Sequence, residues 1–182
     1  MPETASCLAS LVLIGCSAAK LSRAAPAAEL YTGQLFVLSR RYAEHFGSAW
    51  RILSAKYGVV DPRQVIEPYD RALRKMKPEL RRQWAAWCQC GLAHVLEEVG
   101  ATATCGKYRD FPRIVILAGR DYVQPLLQYT LLAQHRNEVD TPLAGLGIGK
   151  QLAFLSRAVQ GIGHPTIASP VWMNRQAGRR TL

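Results

Sequence analysis

Apolar residues along this chain alternate between short unbroken runs and stretches spaced three or four apart, the signature of strands feeding helices. SLVLIG, Ser10 to Gly15, is a branched apolar run that halts at a glycine, as expected of a strand covered on both faces of a parallel sheet. After a small-residue loop containing Pro26, ELYTGQLFVLSRRYAEHFG sets Leu35, Leu38, Tyr42 and Phe46 at helical spacing, with Gly47 as the stop. Trp50 to Ser54 predicts a second strand that turns through Gly58. Pro62 and Pro68 bracket an extended loop, and a helix follows from Pro78 to about Val99, with the proline in the first turn where its missing N–H costs nothing. Ile114 to Leu117 repeats the opening design, ending in Ala-Gly before another helix, and a last helix spans about Gly149 to Val159.

This alternation predicts an α/β chain: a single-domain three-layer sandwich around a mostly parallel or mixed sheet, over residues 1–163. Past Gly163 the chain is rich in Pro, Gly and Arg without periodicity, so 164–182 is expected to be a basic, loosely ordered tail. With 182 residues, one core of ordinary size accounts for the whole length. No run reaches the roughly 18 apolar residues of a membrane span. The N-terminus also lacks the basic segment of a secretory signal, so a cytoplasmic protein is expected.

In open α/β sheets ligands gather beyond the carboxyl ends of the strands. Three predicted strands deliver polar clusters there: Gly15-Cys16-Ser17, Ser54-Ala55-Lys56-Tyr57 and Gly119-Arg120-Asp121-Tyr122. If a helical turn begins at Cys16, Lys20 shares its face, and an ammonium beside a thiol at a helix N-terminus activates the sulfur as a nucleophile. The alternative is a small side chain packed at a strand end with Lys20 in solvent. The SAKYG and EPYD segments bring Ser54, Lys56 and Tyr57 near Glu67, Tyr69 and Asp70, a set suited to proton transfer or to stacking a base and reading its edge. Equally, Glu67 or Asp70 caps the next helix and pairs with Arg71 or Arg74. Arg120, Asp121 and Tyr122, after LAG, either contain an internal Arg–Asp pair or hold a substrate phosphate.

Charge narrows the partner. The net charge of +10 favours a polyanion, because basic side chains gain affinity by releasing counterions from phosphates. Six basic residues stand against one acidic in RALRKMKPELRRQW, so Arg71, Arg74, Lys75 and Lys77 are candidate phosphate contacts, or else a solvated face. GLGIGK adds Gly147, Gly149 and Lys150 as a loose likeness of a phosphate loop. The five cysteines (Cys7, Cys16, Cys88, Cys90, Cys105) have no repeated spacing and read as free thiols. Neither they nor the scattered histidines suggest a metal, and no cofactor is called for.

GCSAAK, AAELYTGQLF, ILSAKYGVVDPRQVIEPYD, VILAGRDYV and PLAGLGIGKQLAFL together resemble an uncharacterised bacterial and phage domain family over roughly Leu11 to Leu155. That family is distantly similar to the YaaA peroxide-stress proteins, whose opening segment and S-x-x-YG-x-x-x-P…PY pattern parallel CSAAK and SAKYGVVDP…EPY. A fainter similarity is to the C-terminal catalytic region of archaeosine synthase, an RNA-modifying amidinotransferase that acts on a nitrile-bearing 7-deazaguanine. Its Cys-x-x-x-Lys stretch, downstream Ser and Tyr-Asp match Cys16, Lys20, Ser54 and Tyr69-Asp70, although Leu-Ser-Arg follows Lys20 where that family has Pro-Tyr and then Ser and His. The first likeness implies DNA binding in a stress response. The second implies an enzyme acting on a modified nucleobase, nucleotide or nucleic acid, DNA or RNA, with Cys16 as nucleophile. In that reading Lys20, Ser54 and Lys56 handle the thiolate and protons. Ser17, Tyr31, Tyr57, Glu67, Tyr69, Asp70, Arg120 and Asp121 bind substrate.

Overall fold

The computed structural model describes residues 10–102 and 113–160. Its elements run β1 (Ser10–Gly15), β2 (Ala25–Pro26), α1 (Ala27–Leu30), α2 (Gln34–Phe46), β3 (Ala49–Ser54), β4 (Gly58–Val60) and β5 (Val65–Ile66). They continue with α3 (Pro78–Thr102), β6 (Arg113–Leu117), α4 (Arg120–Tyr129), β7 (Val139–Asp140) and α5 (Ile148–Gln160). Five strands form one mixed sheet in the order β4-β3-β1-β6-β7, and β2 pairs with β5 in a separate two-stranded ribbon. β1 lies in the middle, parallel to β3 and to β6. The expected α/β architecture is therefore the one found. The tail at 164–182, Cys7 and Cys105 lie outside the described residues.

Alternation along β1 explains the layering. Leu11 and Leu13 point to one side, where they join Trp84, Leu92, Val123 and Leu126 of α3 and α4. Val12 and Ile14 point to the other, where they meet Phe36, Tyr42 and Leu155 of α2 and α5. All four are essentially inaccessible, so β1 has no solvent face and its sequence is apolar from Leu11 to Ile14. At about 25 cal/mol per Å² of apolar surface, this two-sided burial is the main source of stability.

Several expectations are corrected in detail. The helix drawn from Glu29 is two pieces, since the chain is extended at Tyr31 and Gly33 and α2 begins only at Gln34. Residues after Cys16 do not coil into a helical turn: Lys20 forms an isolated antiparallel bridge with Tyr31. After Ser54 the chain turns through Gly58, whose φ of 72° lies in the left-handed region, and returns as the edge strand β4. Among the described residues, no helix is long and apolar enough to cross a membrane.

The carboxyl ends of β1 and β6 meet closely. A Cβ added at Gly15 would stand 3.1 Å from the Cβ of Ala118, the residue that follows β6. Gly15→Val is expected to lower stability by about 1–3 kcal/mol, the usual cost of overpacking a filled interior, with Gly15→Ala costing less. Urea unfolding monitored by circular dichroism checks the order.

Candidate functional site

Because β1, β3 and β6 are parallel neighbours, their carboxyl ends open at one edge, and the residues just past them share a small volume. The Cys16 amide donates to the Leu53 carbonyl at 3.0 Å, tying the segment after β1 to the end of β3. From that anchor the half-buried Cys16 sulfur meets two phenols. Tyr122, in the first turn of α4, brings its hydroxyl to 3.1 Å, and Tyr69, from the loop before α3, donates to the sulfur at 3.3 Å.

Behind Tyr69 the protons can be traced. Ser54 is fully buried, and its Oγ accepts backbone N–H bonds from Tyr57 at 3.0 Å and Lys56 at 3.3 Å. With its lone pairs so engaged, its one proton goes to the Tyr69 oxygen, 2.7 Å away. The Tyr31 hydroxyl lies 3.0 Å from that same oxygen and donates to it, since the Tyr69 proton is committed to sulfur. The network is thus directional, running from backbone amides through Ser54 and Tyr69 to Cys16.

Burial, and after it the negative charge that Cys16 would carry, holds the Tyr69 and Tyr122 hydroxyls protonated far above the ordinary tyrosine range. The same two causes push Tyr31 up to about 12. These phenols stay protonated at every physiological pH and are not suited to service as bases.

Two ammonium groups flank the cluster. Lys20 Nζ lies 4.4 Å from the centroid of the Tyr69 ring and 5.7 Å from that of Tyr31, while Lys56 Nζ donates to the Tyr57 hydroxyl at 2.9 Å and lies 5.9 Å from the Tyr69 centroid. Lys20 therefore reaches the site over a ring face, where a cation is worth about 0.5–1 kcal/mol or more. The rings pack edge to face, Tyr57 on Tyr69 at 5.5 Å and Trp84 on Tyr122 at 5.6 Å. Trp84 also donates its indole N–H to the Ser54 carbonyl at 2.9 Å.

Other candidates fall elsewhere. Ser17 turns from the sulfur: its Oγ accepts the Ala19 amide and sits where a Cβ on Gly33 would have to be. Glu67 is exposed and offers only its carbonyl, 3.4 Å from the Tyr57 hydroxyl. Asp121 pairs with Arg81 at 3.0 Å rather than with Arg120, which is exposed. Arg81 also binds the carbonyls of Arg74 and Met76, so it fixes the basic loop against α4. Arg71, Arg74, Lys75 and Lys77 are exposed, and Arg71 and Lys75 line a groove to which Asp70 also belongs. Gly147, Gly149 and Lys150 are exposed around the start of α5, and a Cβ on either glycine would meet nothing within 4 Å, so no backbone cradle closes there. Among the described residues no cluster of His, Cys, Asp or Glu could hold a metal ion.

Sequence reasoning placed Tyr122 in the strand-end cluster without giving it a role at the sulfur, and it did not assign Trp84 or Arg81 to the site. The available signal for Tyr122 was an aromatic three residues past a strand-ending glycine, on the inward side of the first helical turn.

A family model covers this whole arrangement, matching residues 11–157. The chain belongs to DUF6884, a family of unknown function. The resemblance to an uncharacterised family holds on that match. No curated protein and no solved structure matches the chain.

Burial of Tyr31, Tyr69 and Tyr122 makes these tyrosines the groups expected to limit stability at alkaline pH. A group that is harder to ionise when folded leaves stability intact below its unfolded pKa and removes it as pH climbs toward the folded value. Stability is expected to fall from about pH 10 upward, the ordinary tyrosine range. In a spectrophotometric titration the phenolate absorbance of Tyr31, Tyr69 and Tyr122 should appear together with unfolding. Early titration of all the tyrosines would contradict the burial argument.

Proposed function

We propose that this protein is an enzyme acting on a modified nucleobase, free or within a nucleotide or nucleic acid, with Cys16 as its nucleophile. The observation that supports this reading is the environment of the sulfur, approached by two protonated phenols from different elements at 3.1 and 3.3 Å. Two hydroxyls converging on one sulfur fix its position, and the thiolate is the reactive form of cysteine. A cysteine packed only for volume needs neither donor.

The likeness to archaeosine synthase supplies the substrate class, a 7-deazaguanine that carries a nitrile. The thiolate adds to the nitrile carbon: the C–S bond forms as one C–N π bond opens, and the proton given up by the thiol ends on nitrogen, leaving a neutral thioimidate. Water or an amine then adds to that carbon, the tetrahedral adduct collapses, and the C–S bond breaks to return the thiolate. Water yields an amide and an amine yields an amidine. Tyr69 and Tyr122 stabilise the sulfur at the start and end of the cycle, when its charge is greatest. Lys20 and Lys56, at the rim, exchange protons with solvent. Tyr69 is a positioning residue for the sulfur more than a stacking plate, because its hydroxyl is spent on Cys16, Ser54 and Tyr31. Tyr57 remains as an aromatic face near the rim.

A second reading, a non-catalytic DNA-binding module of the YaaA type, draws on the exposure of Arg71, Arg74, Lys75 and Lys77. Its affinity would fall steeply with salt.

Intact-mass analysis separates the two. Incubated with the nitrile-bearing 7-deazaguanine as base, nucleoside or part of an oligonucleotide, the wild type is expected to gain the mass of the substrate on the Cys16 peptide. Cys16→Ala should abolish the adduct, and Tyr122→Phe should slow it by about 10²-fold, the cost of one lost donor to a charged centre. Absence of adduct and turnover, with DNA affinity unchanged in Cys16→Ala, favours the module.

A further inference from the structure

Beside the cysteine cluster lies a groove of about 470 Å³ between α3 and the loop that precedes it. One side is a single face of α3, carrying Leu80, Gln83, Trp84 and Trp87 at helical spacings of three and four. Trp84 is buried and forms the floor, but Trp87 is 55% exposed, which leaves a large flat aromatic surface in water at the groove. Across from it run Asp70, Arg71 and Lys75. No carboxylate among the described residues pairs with Arg71 or Lys75, and the loop that carries them is held in place by Arg81. An indole plate, two uncommitted cations, a carboxamide and a carboxylate in one hollow match the parts of a nucleotide. The base stacks on indole, phosphate meets Arg71 and Lys75, and Gln83 and Asp70 offer hydrogen bonds to the base edge.

The groove is not the cysteine site, since Cys16 is not among the residues that form it, yet the two share walls. Ala55 follows Ser54 and Asp70 follows Tyr69, so these two groove residues are each one Cα step of about 3.8 Å from a member of the cluster. Trp84 touches both, as groove floor and as the ring packed against Tyr122.

The geometry points to a nucleotide subsite in this groove, with Trp87 as its stacking platform and Arg71 and Lys75 as its phosphate contacts. It deepens the nucleobase-enzyme reading and rests on it for the identity of the neighbouring site: the groove holds a nucleotide next to the one presented to Cys16.

The test is tryptophan-fluorescence titration of the whole protein with a short single-stranded oligonucleotide and, separately, with a nucleoside 5′-monophosphate. Quenching on binding is expected, and Trp87→Ala should weaken the oligonucleotide by about fivefold to a hundredfold, the usual range for one stacked base, with Trp87→Phe restoring most of it. Arg71→Gln and Lys75→Gln should each reduce the salt dependence by about one phosphate contact. Tighter binding of the oligonucleotide assigns the subsite to a strand, and equal affinities assign it to a free nucleotide; either supports the groove. Unchanged affinity in Trp87→Ala and Arg71→Gln overturns it. Cys16→Ala keeps the two proposals apart: nucleotide binding without any Cys16 adduct sinks only the cysteine chemistry, and adduct formation indifferent to Trp87 sinks only the groove.

Discussion

Parallel pairing of β1 with β3 on one side and β6 on the other is the constraint from which the rest follows. Parallel strands cannot be joined by tight turns, so each must send its chain across a face of the sheet and back, and all three then finish at the same edge. Two-sided burial of Leu11 to Ile14 fixes β1 in the centre. Cys16, Ser54 and the helix bearing Tyr122 meet there because the sheet has no other place to release them.

What the edge then assembles is a polar network within an apolar surround, and such networks are costly unless every member is paired. Ser54 and the hydroxyls of Tyr31 and Tyr69 satisfy one another, with the Cys16 sulfur as the final acceptor. Removing a member would leave a buried donor or acceptor stranded, at about 1–3 kcal/mol. The network therefore stabilises one arrangement of three loops while aiming protons at one sulfur. Cys88 lies outside this network, buried among apolar neighbours, and burial alone pushes its thiol up to about 12.

The layered fold and the shared edge of Cys16 and Ser54 were legible in the sequence, because long apolar runs name central strands and strand ends name the edge; Tyr69 was drawn in through the neighbouring EPYD segment. The short strands β2, β4, β5 and β7 were not, since two or three residues carry no periodicity and their pairing is set by the loops around them. Lys20 arrives by a bridge to Tyr31 instead of a helical turn, a long-range contact that local spacing does not encode. Asp121 was read with its neighbour Arg120, but Arg81, 40 positions away, holds it. Trp87 hid in a basic helix, where a charge run and a solvated face look alike.

Relative reactivity of the thiols tests the central claim most directly. Treated with a limiting mild alkylating agent and read by peptide mass spectrometry, Cys16 should be modified ahead of exposed Cys90 and well ahead of buried Cys88, and the Tyr69→Phe, Tyr122→Phe double variant should lose the lead over Cys90. Modification of Cys90 first, or a Cys16 rate indifferent to both phenols, would contradict the account.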